Sequence, residues 1–322
     1  MAFWRYRDDY IRRRGSRLAV CSAHQTLPKR TLTKTSKTII MTFSSPNQPS
    51  QVAALLEGRR KVDVYEATGG AVTSQFAAHN LSLLPPIPPK SIIHDNACGA
   101  GTVSRKILSS KTPSGLKIHA TDIDQVFLDA LQSDVQKNSW PIDVSNQKSE
   151  SLSFPDDHFT HSINNIGIFF TSSAGLDGAK EIYRTLQLGG TAVVNCWEDV
   201  TWLPPFALVH QALRPGKSYP APPILWKDGQ QIQKVMLEAG FSRANMRVEK
   251  SEAWAKTSDL RDWAEKSWAY LGGIGGWAET DGERWDETVD LLVKHLLERE
   301  GTKRVGEEVW MRASQWVVIA TK

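Results

Sequence analysis

The stretch HDNACGAGTVSRKIL, residues 94–108, follows the apolar pair Ile92 and Ile93 and leads into a segment with helical periodicity. Ala97, Gly99, Ala100 and Gly101 remove side chains from the turn, so backbone can approach a ligand and the next helix can begin abruptly. In an open α/β sheet the ligand lies beyond the carboxyl ends of the strands, and the first strand-to-helix turn makes the nearest contact. A dinucleotide fingerprint asks for three glycines and a pyrophosphate at a helix start. Gly99 and Gly101 satisfy two positions, but Ser104 stands at the third and Asp95 at the strand end would repel a pyrophosphate. A carboxylate there suits a cation attached to a nucleoside.

Working outward, residues 90 to 200 alternate short apolar runs with helical periods, the pattern of βαβ units and a doubly wound parallel sheet. LKIHATD (116–122), HSINNIGIFF (161–170) and TAVVNCW (191–197) are expected as strands. DQVFLDALQSDV places Val126, Phe127, Ala130, Leu131 and Val135 on one helical face, and AKEIYRTLQLGG reads as a helix stopped by its glycines. Asp124 is expected to cap the helix that follows it. Farther on, QQIQKVMLEAGF (230–241) predicts a helix and then a strand, RWDETVDLLVKHLLEREG an amphipathic helix, and SQWVVIATK a closing buried strand. An acid about 20 residues beyond such a glycine turn commonly accepts hydrogen bonds from ribose hydroxyls. Asp122 stands twenty-one residues after Gly101.

The turn resembles the first motif of the class I S-adenosylmethionine-dependent methyltransferases, D-x-G-x-G-x-G, which stands here as Asp95, Asn96, Ala97, Cys98, Gly99, Ala100 and Gly101. Ala97 replaces the first glycine. Two further segments are similar to the same family: KSESLSFPDDHFTHSINN, which leads into the fourth strand, and EIYRTLQLGGTAVV before the fifth. At the position of the acid that often binds adenine stands Lys148, with Ser149 and Glu150 as the nearest substitutes. A finer likeness is to fungal small-molecule methyltransferases, including the thiol methyltransferase of gliotoxin metabolism. It rests on DNACGAGTVS, on CWEDVTWLPP (196–205) and on YEATGGAVTSQ from Tyr65, which resembles that group's N-terminal cofactor lid.

The resemblance implies a Rossmann-like, seven-stranded methyltransferase sheet with helical cap elements, and S-adenosylmethionine as cofactor. It implies a cofactor set of Tyr65, Asp95, Ala97, Gly99, Gly101, Thr102, Asp122, Ile123, Ser149, Glu150 and Asn165. Ile166, Phe169, Phe170, Trp197 and Trp202 are the expected substrate contacts, since aromatic walls suit a flat or apolar small molecule. Ten of the twelve tryptophans lie at or after Trp197, and core packing accounts for most of them. A thiolate or amine acceptor needs no protein base, whereas a phenol needs one; His210 ranks first for that role. His94 and His119 lie in expected strands and read as structural, and Cys98 as a small packed residue. The function expected is methyl transfer to a small secondary metabolite at S, O or N. The alternatives are a protein that keeps the fold without methyl transfer, regulatory or cyclase-like, and a macromolecule methyltransferase.

Composition bounds these readings. The chain has 322 residues, 40% apolar and 23% charged, a globular composition. Its net charge of +4 is uneven: residues 1–40 hold ten Lys/Arg and two Asp, leaving 29 Lys/Arg against 33 Asp/Glu in the rest. A mildly acidic body offers no broad phosphate-binding face, so nucleic acid is not an expected partner. The basic tail admits a solvated segment, a nucleic-acid arm, a membrane-surface segment or a transit peptide, and Met41 offers a second translation start. The location expected is cytoplasmic, with mitochondrial targeting as the lesser alternative. No apolar run long enough to span a membrane exists. Cys21, Cys98 and Cys196 are far apart, without CxxC or Cys/His clusters, so neither a disulfide scaffold nor a metal site is expected. The expected organisation is a basic tail over 1–45 and a methyltransferase domain over 46–322. Within the domain, lid helices occupy 46–89, the cofactor core 90–200 and a substrate cap 201–230, and 231–322 carries core strands with a helical insertion.

Overall fold

The computed structural model describes residues 47–109, 113–220 and 224–322; the readings made for the basic tail and for Cys21 lie outside them. Five parallel strands form one side of the sheet: β1 (Ile92–Asn96), β2 (Lys117–Asp122), β3 (Ile142–Asn146), β4 (Phe159–Asn164) and β5 (Leu186–Val200). Antiparallel to β5 runs β8 (Glu308–Thr321), which also pairs with β6 (Met246–Thr257) and with β7 (Thr302–Val305). The order is β3-β2-β1-β4-β5-β8-β6. Seven strands were expected and lie on this path; the eighth, β7, is a four-residue strand that pairs only with β8. The chain reverses its direction of progress between β1 and β4, so the crevice of such a sheet opens beyond their carboxyl ends.

Strand alternation divides the interior into two cores. Ala192, Val194 and Cys196 of β5 and Val318 and Ala320 of β8 face one, while Val193 and Val317 face the other, because successive side chains leave opposite sides of a strand. Helices α1 (Ser50–Leu56), α2 (Arg60–Ala67) and α3 (Gly69–Ser82) precede the sheet. Next come α4 (Thr102–Leu108) and α5 (Gln125–Asn138); in the second core Val103 and Ile107 of α4 pack with Leu128, Leu131 and Val135 of α5. On the first core, α6 (Leu176–Thr185) supplies Ala179 and Ile182, and α8 (Gln230–Ala239) supplies Ile232, Val235 and Met236.

The helices α7 (Leu203–Leu213), α9 (Leu260–Leu271) and α10 (Trp285–Glu298) complete the first core with aromatic contacts. Trp202 meets Trp197 and Trp263 edge to face at 6.4 and 5.7 Å, and Phe206 stacks on Trp268 at 5.7 Å. Each such ring removes a large apolar area from water, and edge-to-face or offset-stacked pairs add to that gain. Among the described residues no helix is long and apolar enough to cross a membrane, and no cluster of His, Cys, Asp or Glu could hold a metal ion.

Two expected boundaries are corrected. The strand expected over 161–170 ends at Asn164, because Ile166 adopts φ 60°, a left-handed conformation that interrupts a ladder; a 3-10 turn, Ile168–Phe170, follows. The helix expected to stop at Gly189 and Gly190 ends at Thr185, whose hydroxyl donates back to Glu181 O at 2.8 Å. Both glycines lie inside β5, paired with the chain end through Gly189 N to Lys322 O and Lys322 N to Gly190 O.

The edge of β6 is covered from α3. Gln75 donates its Nε2 to Trp254 O at 2.8 Å and accepts the Trp254 amide at 3.2 Å. Lower on the same strand, Arg247 donates to Leu83 O at 2.9 Å.

Candidate functional site

The turn after β1 is built from left-handed backbone. Ala97, Gly99 and Gly101 take φ of 58°, 54° and 84°. A methyl group on Gly101 would lie 2.6 Å from Leu131 Cδ1, so this glycine is required both by its dihedral and by the packing of α5. Gly99 is different: an added Cβ would meet only Phe127, at 3.7 Å. Ala97 adopts the conformation of a glycine while carrying a methyl.

Two acids hold this turn. Asp122, at the end of β2, accepts the Gly99 amide at 2.8 Å on Oδ2 and the Asp124 amide at 2.9 Å on Oδ1. Burial raises its carboxyl pKa against the lowering effect of these amides. Asp124 caps α5 as expected, accepting from Val126 N, and pairs with Lys61 of α2. Asp95 is 1% exposed, and its Oδ2 accepts the Ser104 amide at 2.9 Å and hydroxyl at 2.6 Å. It thereby satisfies an N–H of the first turn of α4, which has no partner within its own helix. Burial pushes its pKa up to about 7, although the Ser104 bonds pull it down. Its other oxygen has no protein donor among the described residues.

Asn96 and Asn164 face each other in register at the carboxyl ends of β1 and β4. Each uses its side-chain oxygen, Asn96 for the Ser149 hydroxyl at 2.5 Å and Asn164 for the Gly167 amide at 3.1 Å. Each leaves a buried Nδ2 without a partner. An unpaired buried donor costs about 1–3 kcal/mol, so two side by side mark a place that a polar ligand would satisfy. Positive-φ backbone, paired acids and unspent amide donors meet at the switch point and fit an adenosyl amino acid.

The remaining expected residues fall around this turn in different ways. Thr102 opens α4, Ile123 is exposed beyond β2, and Glu150 lies half-buried next to the bridge between Lys148 and Ser151. Tyr65 meets Phe127 at 5.5 Å and Tyr270 at 5.8 Å, with its hydroxyl 3.2 Å from Thr73 Oγ1. Burial raises its pKa. Tyr270, from α9, was not anticipated; nothing in its local sequence ties that helix to a turn 170 residues earlier.

Beyond β4, Asn165 donates to Thr73 O at 3.1 Å, and Ile166 donates its amide to Asn195 Oδ1 at 2.8 Å. Phe169 is buried and Phe170 is 42% exposed, their rings 4.4 Å apart. Trp197 and Trp202 are both buried, and Trp197 packs on Phe76 of α3 at 5.5 Å. His210 sits inside α7 against the Tyr219 ring at 5.4 Å. Its Nδ1 is buried without a partner, and burial lowers its pKa. No hydrogen bond joins it to the turn. His94 is buried and bonded to Thr121 Oγ1 at 2.9 Å, and Cys98 is buried in the second core.

A family model described as a methyltransferase domain matches residues 93–190. Among curated proteins, the methyltransferase tpcH of Aspergillus fumigatus is 22% identical over 222 residues, covering 65% of this chain and 77% of its own. The methyltransferase ktnA of Aspergillus niger is 22% identical over 240 residues, 65% of this chain and 78% of its own. An acetylaranotin bis-thiomethyltransferase of Aspergillus terreus is 29% identical over 116 residues, 35% of this chain and 37% of its own. Among solved structures, a candidate methyltransferase of Bacillus halodurans superposes with a TM-score of 0.50 at 15% identity, covering 76% of this chain and 98% of its own. A phosphoethanolamine N-methyltransferase of Haemonchus contortus gives 0.51 at 16% identity, over 84% and 59%. These two likenesses concern the fold.

Proposed function

Because this chain belongs to the class I S-adenosylmethionine-dependent methyltransferases, we propose that it methylates a small aromatic or apolar acceptor of fungal secondary metabolism, at sulfur, oxygen or nitrogen. The observation that carries this reading is the juxtaposition of the polar switch point at Asp95, Asn96 and Asn164 with the aromatic pair Phe169 and Phe170 after β4. The kinship to fungal methyltransferases, one of them named as a thiomethyltransferase, supports the acceptor class.

S-adenosylmethionine supplies an activated methyl group on a sulfonium. In this proposal Asp95 offers its second oxygen to the ammonium of the aminoacyl part. Asp122 shapes the turn through Gly99 and keeps lone pairs for ribose hydroxyls, since a carboxylate has about four acceptor sites. Asn96 and Asn164 spend their free N–H groups on the cofactor's polar atoms. Ile166, Phe169, Phe170, Trp197 and Trp202 shape the acceptor side and exclude water, and Tyr65 covers the turn. Holding two reactants in line can lower the barrier by about 7–11 kcal/mol. Positioning therefore suffices for an acceptor that arrives as a thiolate or an amine.

The test is calorimetric titration of the ligand-free protein with S-adenosylmethionine and, separately, NADH. A panel of thiols, phenols and amines then follows, with methylated product read by mass spectrometry. Micromolar binding of the first ligand alone, with product from at least one panel member, is the expected outcome. Binding with no product from any small acceptor would overturn the acceptor class.

A further inference from the structure

A continuous run of side-chain amides crosses the interior behind the acceptor loop. Gln315 of β8, fully buried, uses all of its capacity. Its Oε1 accepts from Asn195 Nδ2 and, at 3.4 Å, from Asn80 Nδ2, while its Nε2 donates to Asn80 Oδ1 and Ser251 Oγ, both at 2.8 Å. Asn195 of β5, also fully buried, passes the chain on: its Nδ2 donates to Asn165 Oδ1 at 3.0 Å, and its Oδ1 receives the Ile166 amide at 2.8 Å. Asn165 then donates to Thr73 O, and Thr73 Oγ1 meets the Tyr65 hydroxyl at 3.2 Å. The amides of Asn80, Asn195 and Gln315 are thus spent inside the protein, and at Asn165 the network reaches a half-buried position.

We infer that Asn80, Asn195 and Gln315 are positioning residues for methyl transfer: they hold the loop Asn165–Phe170 in its left-handed entry and tie it to α3. This rests on the functional reading above. A β-branched residue at φ 60° is strained and persists only where its surroundings over-determine it. Here the Ile166 amide has one acceptor, Asn195, whose orientation is in turn fixed by Gln315. A buried network satisfied in all its members specifies one geometry. A small displacement of an acceptor site can cost about 100-fold in rate, so distant amides at the back of the sheet set alignment at its front.

The test is amide hydrogen exchange of the full chain, with and without S-adenosylhomocysteine, in Gln315→Met and Asn80→Leu. Each replacement is close in length and shape to the residue it removes, and neither altered side chain hydrogen-bonds to the loop backbone. Exchange in peptides covering 163–171 and 68–76 should rise about tenfold, while peptides of β2 and α5 stay unchanged. Ile182→Val, a buried control outside the network, should lower the melting temperature without that local effect. Gln315→Glu at pH 6 keeps an oxygen facing Asn195 and, protonated, an O–H donor; it should restore much of the protection. An even rise over the whole molecule, a rise confined to β5 and β8, or the same loop response in Ile182→Val would overturn the inference. Failure of the wild-type chain to bind S-adenosylhomocysteine would count against the methyltransferase site alone, because the ligand-free comparison still decides the role of the network.

Discussion

Asp95 and Ser104 meet across the glycine turn, one carboxylate oxygen receiving both the amide and the hydroxyl of the serine at 2.9 and 2.6 Å. The acid therefore joins the end of β1 to the start of α4, and burial lifts its pKa from 3.8 to about 7. The folded chain keeps this proton where the unfolded chain has lost it, so the group's contribution to stability is complete below pH 3.8 and is lost as pH rises through about 7. Asp95→Asn keeps an acceptor for Ser104 and removes the titration. Thermal melts across pH 4 to 8 should be flatter in the variant, with a higher melting temperature at pH 8. Its affinity for S-adenosylmethionine should fall about tenfold, roughly 1.4 kcal/mol; unchanged affinity would remove Asp95 from the cofactor set.

His94 acts in the opposite sense. Burial pushes its pKa from 6.5 down to about 3, and its ring stacks on Phe159 at 4.7 Å. The unfolded chain takes up a proton below pH 6.5 that the folded chain refuses, so stability from this group is present above pH 6.5 and is lost as pH falls through about 3. His94→Phe preserves the stack but should flatten the acid limb of a urea midpoint against pH curve. An acid limb as steep as in the wild type would show that another group governs it.

Asp122 has two tasks that substitution can separate. Asp122→Ala removes the acceptor for the Gly99 and Asp124 amides together with any ribose contact, and should weaken cofactor binding at least about tenfold, roughly 1.4 kcal/mol. Asp122→Asn retains one oxygen for an amide and should lose less. Equal losses in calorimetry would assign the effect to the charge rather than to the order of the turn.

At the turn itself the glycine pattern yields opposite expectations. Gly101→Ala drives a methyl to 2.6 Å from Leu131 at φ 84° and should lower stability by about 1–3 kcal/mol. Ala97→Gly relieves a left-handed alanine worth about 1–2 kcal/mol, against a chain-entropy cost of about 0.5–1 kcal/mol. Urea midpoints should therefore move down for the first and slightly up for the second.

The parallel sheet was legible because β5 carries an apolar run, β1 opens on Ile92 and Ile93, and Leu116, Ile118 and Ala120 alternate with polar residues into β2; the turn was legible because its small residues sit between a strand and a helix with Asp122 at the expected distance. Strand β3, Ile142–Asn146, escaped detection: it is a short edge strand whose alternation rests on two apolar residues, Ile142 and Val144, too few to stand out from a loop. The end of β4 was misread because IGIFF is as apolar as a strand, and a side chain 29 residues after Ile166, that of Asn195, decides its geometry. Gln315 was hidden for a related reason. A polar residue at the start of a closing apolar run has no local signature of the three residues that receive it.

The clasp of Gln75 on Trp254 bears on how this protein behaves in a crowded solution. A side-chain amide there takes one donor and one acceptor that an incoming strand would seek, and Arg247 ties the lower part of the same edge to Leu83. Exposed strand edges are templates for aggregation and domain swapping. With the Trp254 amide and carbonyl spent on Gln75, an incoming strand finds neither partner at that point of the β6 border, and α3 guards it from within the fold.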